Sequence, residues 1–427
     1  MVRLSLLTLA VTAQLVHAWL PNDGSRKLLD TRGFSLFDGQ NTTDESHDTE
    51  KRWTPATGKI RGVNLGSLFV FEPWIAHVEW NNMGCGGQES EFDCVMNIGQ
   101  EKADAAFQKH WSTWITTSDL DEMMGYGINT IRIPVGYWLD ESLVDKNSEH
   151  FPRGAIQYLI RLCGWASDRG FYIILDLHGA PGAQVARNSF TGQFAPSPGF
   201  YNDYQYGRAV KFLQFLRHLV HDHNELRNVG MIELVNEPLN WNSAVQSLRS
   251  TFYKNAYNAI RQVEQEIGTR PNDQLHIQMM SSLWGSGNPV EFLDSKYFTA
   301  FDDHRYLKWA DQNQVPWTHA SYISTSCKDN RNGDASGPTI VGEWSISPPD
   351  AIENTDGWNR DTQKEFYKKW FAAQVYSYER STAGWVFWTW KSQLGDYRWS
   401  YRGLLNAVIA GVIPRDLNGI ASSGVCN

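Results

Sequence analysis

The sequence predicts one α/β domain closed as a single (β/α)8 TIM barrel, and three observations predict it. Short β-branched or apolar runs alternate with longer amphipathic stretches from Ile60 onward, which is the pattern of a parallel sheet covered by helices. Eight such runs can be counted. The 427 residues include 19 Trp, 20 Phe and 17 Tyr, enough for one large core, and α/β barrels exceed the usual domain length without dividing. An open doubly wound sheet would alternate in the same way, but it normally brings a glycine-rich phosphate loop after its first strand. Here that strand runs into Asn64-Leu65-Gly66-Ser67, which is no such fingerprint.

Taken in order, residues 1–18 begin with Arg3, continue through an apolar run and end in Val16-His17-Ala18, which reads as a signal peptide and places the mature chain outside the cell. Residues 19–52 are rich in Asp, Ser, Thr and Gly, carry the sequon Asn41-Thr42-Thr43 and close on Lys51-Arg52. Two readings of this stretch stand open: a pro-segment cut after Arg52, or a glycosylated tail that stays attached. Residues 53–427 then form the barrel domain. Its strands are expected at 60–66, 129–134, 172–178, 231–236, 276–281, 299–303, 338–343 and 384–390. Among the intervening helices, residues 209–223 carry Phe212, Leu213, Leu216, Leu219 and Val220 as one apolar stripe. The apolar run 404–413 is too short for a membrane span and precedes Pro414, so it reads as core.

The five cysteines of an exported chain allow two disulfides and one leftover thiol. Cys163 continues the helical stripe Ile156, Leu159, Ile160 and is expected to be the buried leftover. Cys85 and Cys94 flank a glycine-rich loop, which leaves Cys327 and Cys426 to tie back the C-terminus. The formal net charge of −9 repels phosphate backbones and anionic lipid surfaces, so neither nucleic acid nor membrane is an expected partner.

In a barrel of this kind the active site forms where strands end at the carboxyl face. The fourth strand runs into Asn236-Glu237-Pro238 and the seventh into Glu343-Trp344, which puts two carboxylates at the mouth. Alone, either is as well explained as a helix cap or an ion-pair partner. Together they fit the paired carboxyls that a retaining glycosidase needs, one to protonate the leaving oxygen and one to attack the anomeric carbon. His218 and His221 share a helix face without a Glu-His pattern, which reads as solvated surface and not as a metal site, and neither Ser67 nor Ser345 sits in a nucleophile elbow.

These residues, with Arg132 in Ile-Arg-Ile-Pro and His304-Arg305-Tyr306, resemble glycoside hydrolase family 5 over residues 60–391. Within it the chain looks like the fungal β-glucanases, through Arg61-Gly62-Val63-Asn64-Leu65-Gly66, Phe71-Glu72-Pro73-Trp74-Ile75, Leu177-His178-Gly179-Ala180-Pro181-Gly182 and Phe387-Trp388-Thr389-Trp390-Lys391. The resemblance implies Glu237 as acid/base and Glu343 as nucleophile, with no metal and no cofactor. Arg132 would keep Glu343 ionised, and the charge of Glu343 would favour the protonated form of Glu237. Asn236 would bind the sugar 2-OH, with His178, His304 and Tyr306 around the reacting sugar. Trp388 would be its floor, although the adjacent Trp390 leaves that assignment open. Glu72 resembles the glutamate that binds the terminal sugar in related exo-glucanases.

The implied activity is a monomeric, retaining endo-β-1,6-glucanase acting on fungal cell-wall glucan, with an exo-β-1,3-glucanase as the alternative. The exo enzymes typically continue Glu-Pro-Trp-Ile with Thr-Pro-Ser, where this chain has Ala76-His77-Val78. A transglycosylase and a non-catalytic glucan-binding barrel are the remaining readings. The second of these is disfavoured because both glutamates are present.

Overall fold

The computed structural model describes residues 59–334, 336–402, 407–420 and 423–427, together with a short antiparallel pair of Val16–His17 with Leu28–Leu29. The signal-peptide and tail readings of 1–52, including the sequon, otherwise lie outside the described residues.

Eight parallel strands close into a barrel in chain order: β1 (Ile60–Asn64), β2 (Thr130–Gly136), β3 (Tyr172–Gly179), β4 (Val229–Glu233), β5 (His276–Met280), β6 (Thr299–Arg305), β7 (Thr339–Trp344) and β8 (Gly384–Phe387). The ring is sealed by β8, which pairs with β1 through Phe387↔Val63 and with β7 through Trp385↔Val341. Each expected run is a strand. Three of them, β1, β4 and β8, stop two or three residues short of the expectation, because the chain leaves regular pairing at the carboxyl rim. The rim is still tied to the barrel: Leu234 N–H donates to Gln278 O at 2.9 Å, Asn236 N–H to Leu177 O at 3.0 Å, and Trp390 N–H to Asn64 O at 2.9 Å.

The helical layer departs from one helix per strand. Between β5 and β6 the described chain has only the single 3-10 turn Ser282–Trp284, since Gly285 and Gly287 adopt positive φ (100° and 84°) and Pro289 follows. The helix expected at 209–223 runs instead over Asp203–Asp222. Asn202 caps it by accepting the amide of Gln205, and Phe212, Leu213, Leu216 and Leu219 are buried as the stripe requires. Both cysteine pairings form, Cys85–Cys94 and Cys327–Cys426, and Cys163 is a buried free thiol. Ala407, Val408, Val412 and Ile413 pack into the core, and no described helix is long and apolar enough to cross a membrane.

Inside the ring the side chains lie in layers. The amino end is apolar, filled by Ile60, Tyr172, Ile174, Met231, Ala300, Ile340 and Val386. Above it sits a layer with no solvent exposure that holds Arg132, Asp176, Glu233, Gln278 and Asp302.

One irregularity decides how the seventh strand enters this interior. Asp303 pairs with Val341 but His304 pairs with Glu343, so Gly342 is an extra residue, a β-bulge. Strict alternation would send Glu343 outward, opposite to Ile340 and Gly342. The bulge instead leaves Gly342 against the Asp302 carboxylate and turns Glu343 into the mouth, while Trp344 packs outward on Phe371 and Trp385. A glycine is required here, because a Cβ at 342 would lie 2.0 Å from Asp302 Oδ1.

Candidate active site

The nine residues singled out from the sequence converge on the carboxyl mouth, around a cavity of about 480 Å³. Glu72, His178, Asn236, Glu237, Tyr306, Glu343 and Trp388 line it. His304, expected around the reacting sugar, lies beneath it instead, and so does Arg132, expected beside Glu343; their side chains are 1% and 0% exposed. The carboxylates and amide that they bind lie between them and the cavity.

Glu343 is held at both oxygens. Its Oε1 accepts from Arg132 Nη1 at 3.0 Å and its Oε2 accepts the Tyr306 hydroxyl at 2.8 Å. Glu237 follows β4 at φ 37°, a left-handed conformation that is costly for a side chain with a Cβ, and its Oε1 lies 2.7 Å from His304 Nδ1. Carboxyl oxygens of Glu237 and Glu343 and a ring nitrogen of His304 all fall within 4.8 Å of one another. Nearest oxygens that close fit the paired carboxyls, about 5–5.5 Å apart, of a retaining enzyme.

Arg132 organises the layer below. Its guanidinium reaches Glu233 (2.8 Å), Asp176 (3.1 Å), Glu343 (3.0 Å) and Asp302 (3.5 Å), and donates to Asn64 Oδ1 (3.0 Å) and Asn236 Oδ1 (2.9 Å). Because Asn236 spends its oxygen on Arg132, its amide NH2 is the group left for a ligand. Gln184 secures the same rim by donating to His178 O (2.6 Å) and Asn236 O (3.0 Å). His178 places Nδ1 2.6 Å from Asp176 Oδ2, which leaves Nε2 for the cavity, and its ring lies parallel to Trp388 at 5.8 Å. Trp390, by contrast, is fully buried and donates its indole N–H to Asp119, so Trp388 alone of the two lines the cavity.

Burial sets the charge states and the neighbours modify them. Glu343 is pushed up from the ordinary carboxylate value by burial, with His304 and Arg132 pulling it back. Glu233 is pushed far up by burial against the pull of Arg132. Burial would raise Asp302 as well, but His304 and Arg132 outweigh it and hold the group below its ordinary value, as an anion. His304 is raised well above the usual histidine range, because Glu343 and Asp302 overcome its burial. Glu72, whose Oε2 accepts the Trp74 indole N–H at 2.8 Å, is lifted by burial to about 7.

Glu233, Asp302 and His304 also stand within 4.8 Å of one another, as metal ligands would. The Arg132 guanidinium, however, already supplies a cation to Glu233 and Asp302.

The sequence reading missed Asp176, Glu233, Asp302 and Gln184. A signal for two of them was present: Asp176 precedes His178, and Asp302 precedes His304, by two residues, the spacing that puts both on one face of a strand.

A closed parallel barrel that carries two such carboxyls at its mouth over a buried arginine is the equipment of a retaining glycoside hydrolase. The family model described as "Cellulase (glycosyl hydrolase family 5)" matches residues 96–394, and the chain belongs to that family. It is similar to the probable glucan endo-1,6-beta-glucosidase B of Neosartorya fischeri, 56% identical over 421 residues and covering 99% of each chain. It is also similar to the glucan endo-1,6-beta-glucosidase B of Emericella nidulans, 53% identical over 421 residues and covering 99% of each. The glucan 1,3-beta-glucosidase of Blumeria graminis is more distant, 28% identical over 84% of this chain and 88% of its own. Among solved structures, a rutinosidase from Aspergillus niger shares the fold, with TM-score 0.61 and 20% identity over 87% of this chain and 98% of that one.

Proposed function

We propose that this chain is a secreted, monomeric enzyme that cleaves internal β-1,6-glucosidic bonds of a β-glucan by double displacement, with Glu237 as acid/base and Glu343 as nucleophile. The observation that carries the mechanism is the carboxyl spacing, within 4.8 Å across a site where Arg132 and Tyr306 grip both oxygens of Glu343. In the first step a Glu343 oxygen forms a bond to the anomeric carbon as the glycosidic C–O bond breaks, and the proton of Glu237 goes to the departing oxygen. In the second, Glu237 takes a proton from water, the water oxygen bonds to the anomeric carbon, and Glu343 leaves as a carboxylate. Asn236 donates to the 2-OH, and Trp388 stacks beneath the ring.

The linkage rests on the relatives at 53–56% identity that are named for endo-1,6 action. Internal cleavage is supported by aromatic surface on opposite sides of the ring. Trp74 and Trp399, which follow β1 and β8, line the cavity on one side, and exposed Trp241 follows β4 on the other. Secretion is supported by two disulfides, which persist in oxidising compartments.

The second reading, exo-β-1,3 action, draws on Glu72 in the cavity wall. Incubating the secreted protein with linear β-1,6-glucan, β-1,3-glucan and cellulose, with Glu343→Ala as control, decides between them. Mixed short oligosaccharides from β-1,6-glucan alone, absent with the variant, support the proposal. Glucose released singly from β-1,3-glucan would keep the two glutamates and overturn the linkage.

A further inference from the structure

We infer that Asp302 is a positioning residue for proton transfer: it holds His304 as a cation whose Nδ1–H is aimed at Glu237, so that Glu237 can part with its proton as the glycosidic bond breaks. The inference rests on the acid/base role proposed above for Glu237.

The geometry forms a line through the floor of the site. Asp302 Oδ2 lies 3.3 Å from His304 Nε2, and His304 Nδ1 lies 2.7 Å from Glu237 Oε1. A histidine between two carboxyl groups can donate to both only when both ring nitrogens carry protons. Asp302 is fixed for this task. Its Oδ1 accepts the Gly342 amide at 2.8 Å, and glycine at 342 lacks the Cβ that would otherwise occupy its place.

The groups that face the pair come from every neighbouring strand: Arg132 of β2 is 3.5 Å from Asp302, Glu233 of β4 lies within 4.8 Å, Glu343 of β7 is 3.5 Å from His304 Nδ1, and the Trp284 ring after β5 packs edge-on at 5.9 Å. Among them Asp302 is the anion nearest to Nε2, and no other acceptor for that nitrogen is present among the described residues.

The chemical consequence concerns the moment at which Glu237 becomes negative. An imidazolium N–H at 2.7 Å strengthens its hydrogen bond as that charge develops, and so stabilises the transition state more than the ground state. A neutral His304 with an unprotonated Nδ1 would do the opposite, by accepting the proton of the Glu237 acid and holding it back. Asp302 works against that state by favouring the charged ring, in which Nε2–H meets its carboxylate and Nδ1 also keeps a proton, and it does so without touching the sugar.

The test separates acid assistance from general damage. Asp302→Asn should lower kcat/KM on β-1,6-glucan, whose alkoxide leaving group needs a proton, by roughly 10–100-fold, a part of the 10²–10⁴ that general acid catalysis supplies. On 2,4-dinitrophenyl β-gentiobioside, whose leaving group departs without protonation, kcat/KM should stay within about 3-fold, since that ratio reports only steps up to bond cleavage. An equal fall on both substrates, or on neither, overturns the inference. Glu237→Gln serves as the reference: if it also fails to divide the two substrates, the acid/base assignment itself is wrong, whatever Asp302 does. Should Asp302→Asn not fold, 15N-histidine spectra of the unaltered protein, with the His304 signals assigned by their loss in His304→Gln, decide the matter. Two protonated ring nitrogens at pH 6 support the inference, and a neutral ring sinks it.

Discussion

Replacing Glu91 with glutamine should flatten the fall in stability expected between mildly acid and mildly alkaline pH. Glu91 is fully buried at the start of the helix Glu91–Ile98, inside the Cys85–Cys94 loop. Its Oε1 accepts the amide of Phe71 at 2.8 Å, one residue before Glu72 in the cavity wall. Burial pushes its carboxyl up to about 8 from an ordinary 4.5, against the pull of the Phe71 amide and the Trp138 indole.

Since the folded value lies above the unfolded one, the folded chain binds more protons between these limits, and stability must fall as pH rises. The contribution is complete below about 4.5 and is lost through about 8. At about 1.36 kcal/mol per pH unit, the span from 4.5 to about 8 amounts to about 5 kcal/mol. In a domain of this size that is roughly 5–10 °C of Tm. A glutamine side chain in this place would keep the oxygen that Phe71 needs and cannot ionise. Thermal unfolding from pH 4.5 to 9 should therefore show the wild-type curve falling by roughly that amount relative to Glu91→Gln. Two curves that run parallel across the range would refute the burial argument.

Further outcomes follow from the same geometry. Because burial lifts Glu343, which must be ionised to attack, kcat/KM on β-glucan should begin to fall on the acid side above pH 4.5; a rate that stays flat to about pH 3.5 contradicts this. Opening Cys327–Cys426, which spans 99 residues, should cost about 4.7 kcal/mol by chain entropy, against about 2.6 kcal/mol for Cys85–Cys94, which spans 9; denaturant titration of the two double-alanine variants should rank them so. Gly342→Ala drives a Cβ to 2.0 Å from Asp302 Oδ1, and should cost about 1–3 kcal/mol and lower kcat more than it changes KM. A variant as stable and as active as the parent would show that the close approach is unimportant.

How legible the molecule was in its sequence differs by level. Strands were readable because a buried parallel sheet needs apolar runs, and all eight were found within a few residues. The site residues were readable because catalytic side chains collect at strand ends. Depth was not: a strand end says that Arg132 and His304 arrive at the mouth, but whether they meet solvent depends on what Asn236, Glu237 and Glu343 lay over them. The ionic layer was hidden for a related reason. Asp176, Glu233 and Asp302 interrupt apolar runs and count against a strand when read singly, whereas around Arg132 they satisfy one another. The missing helix between β5 and β6 was visible in Gly285, Gly287 and Pro289.

The bulge at Gly342 carries a broader implication. The two faces of a strand are assigned by counting, so a single surplus residue inverts everything that follows it. Drawing Gly342 into regular pairing, without the bulge, would make the seventh strand more regular and would aim Glu343 at the helices and Trp344 at the sugar. Here the reactive oxygen is available because the strand miscounts, and a tidier sheet would be a silent one.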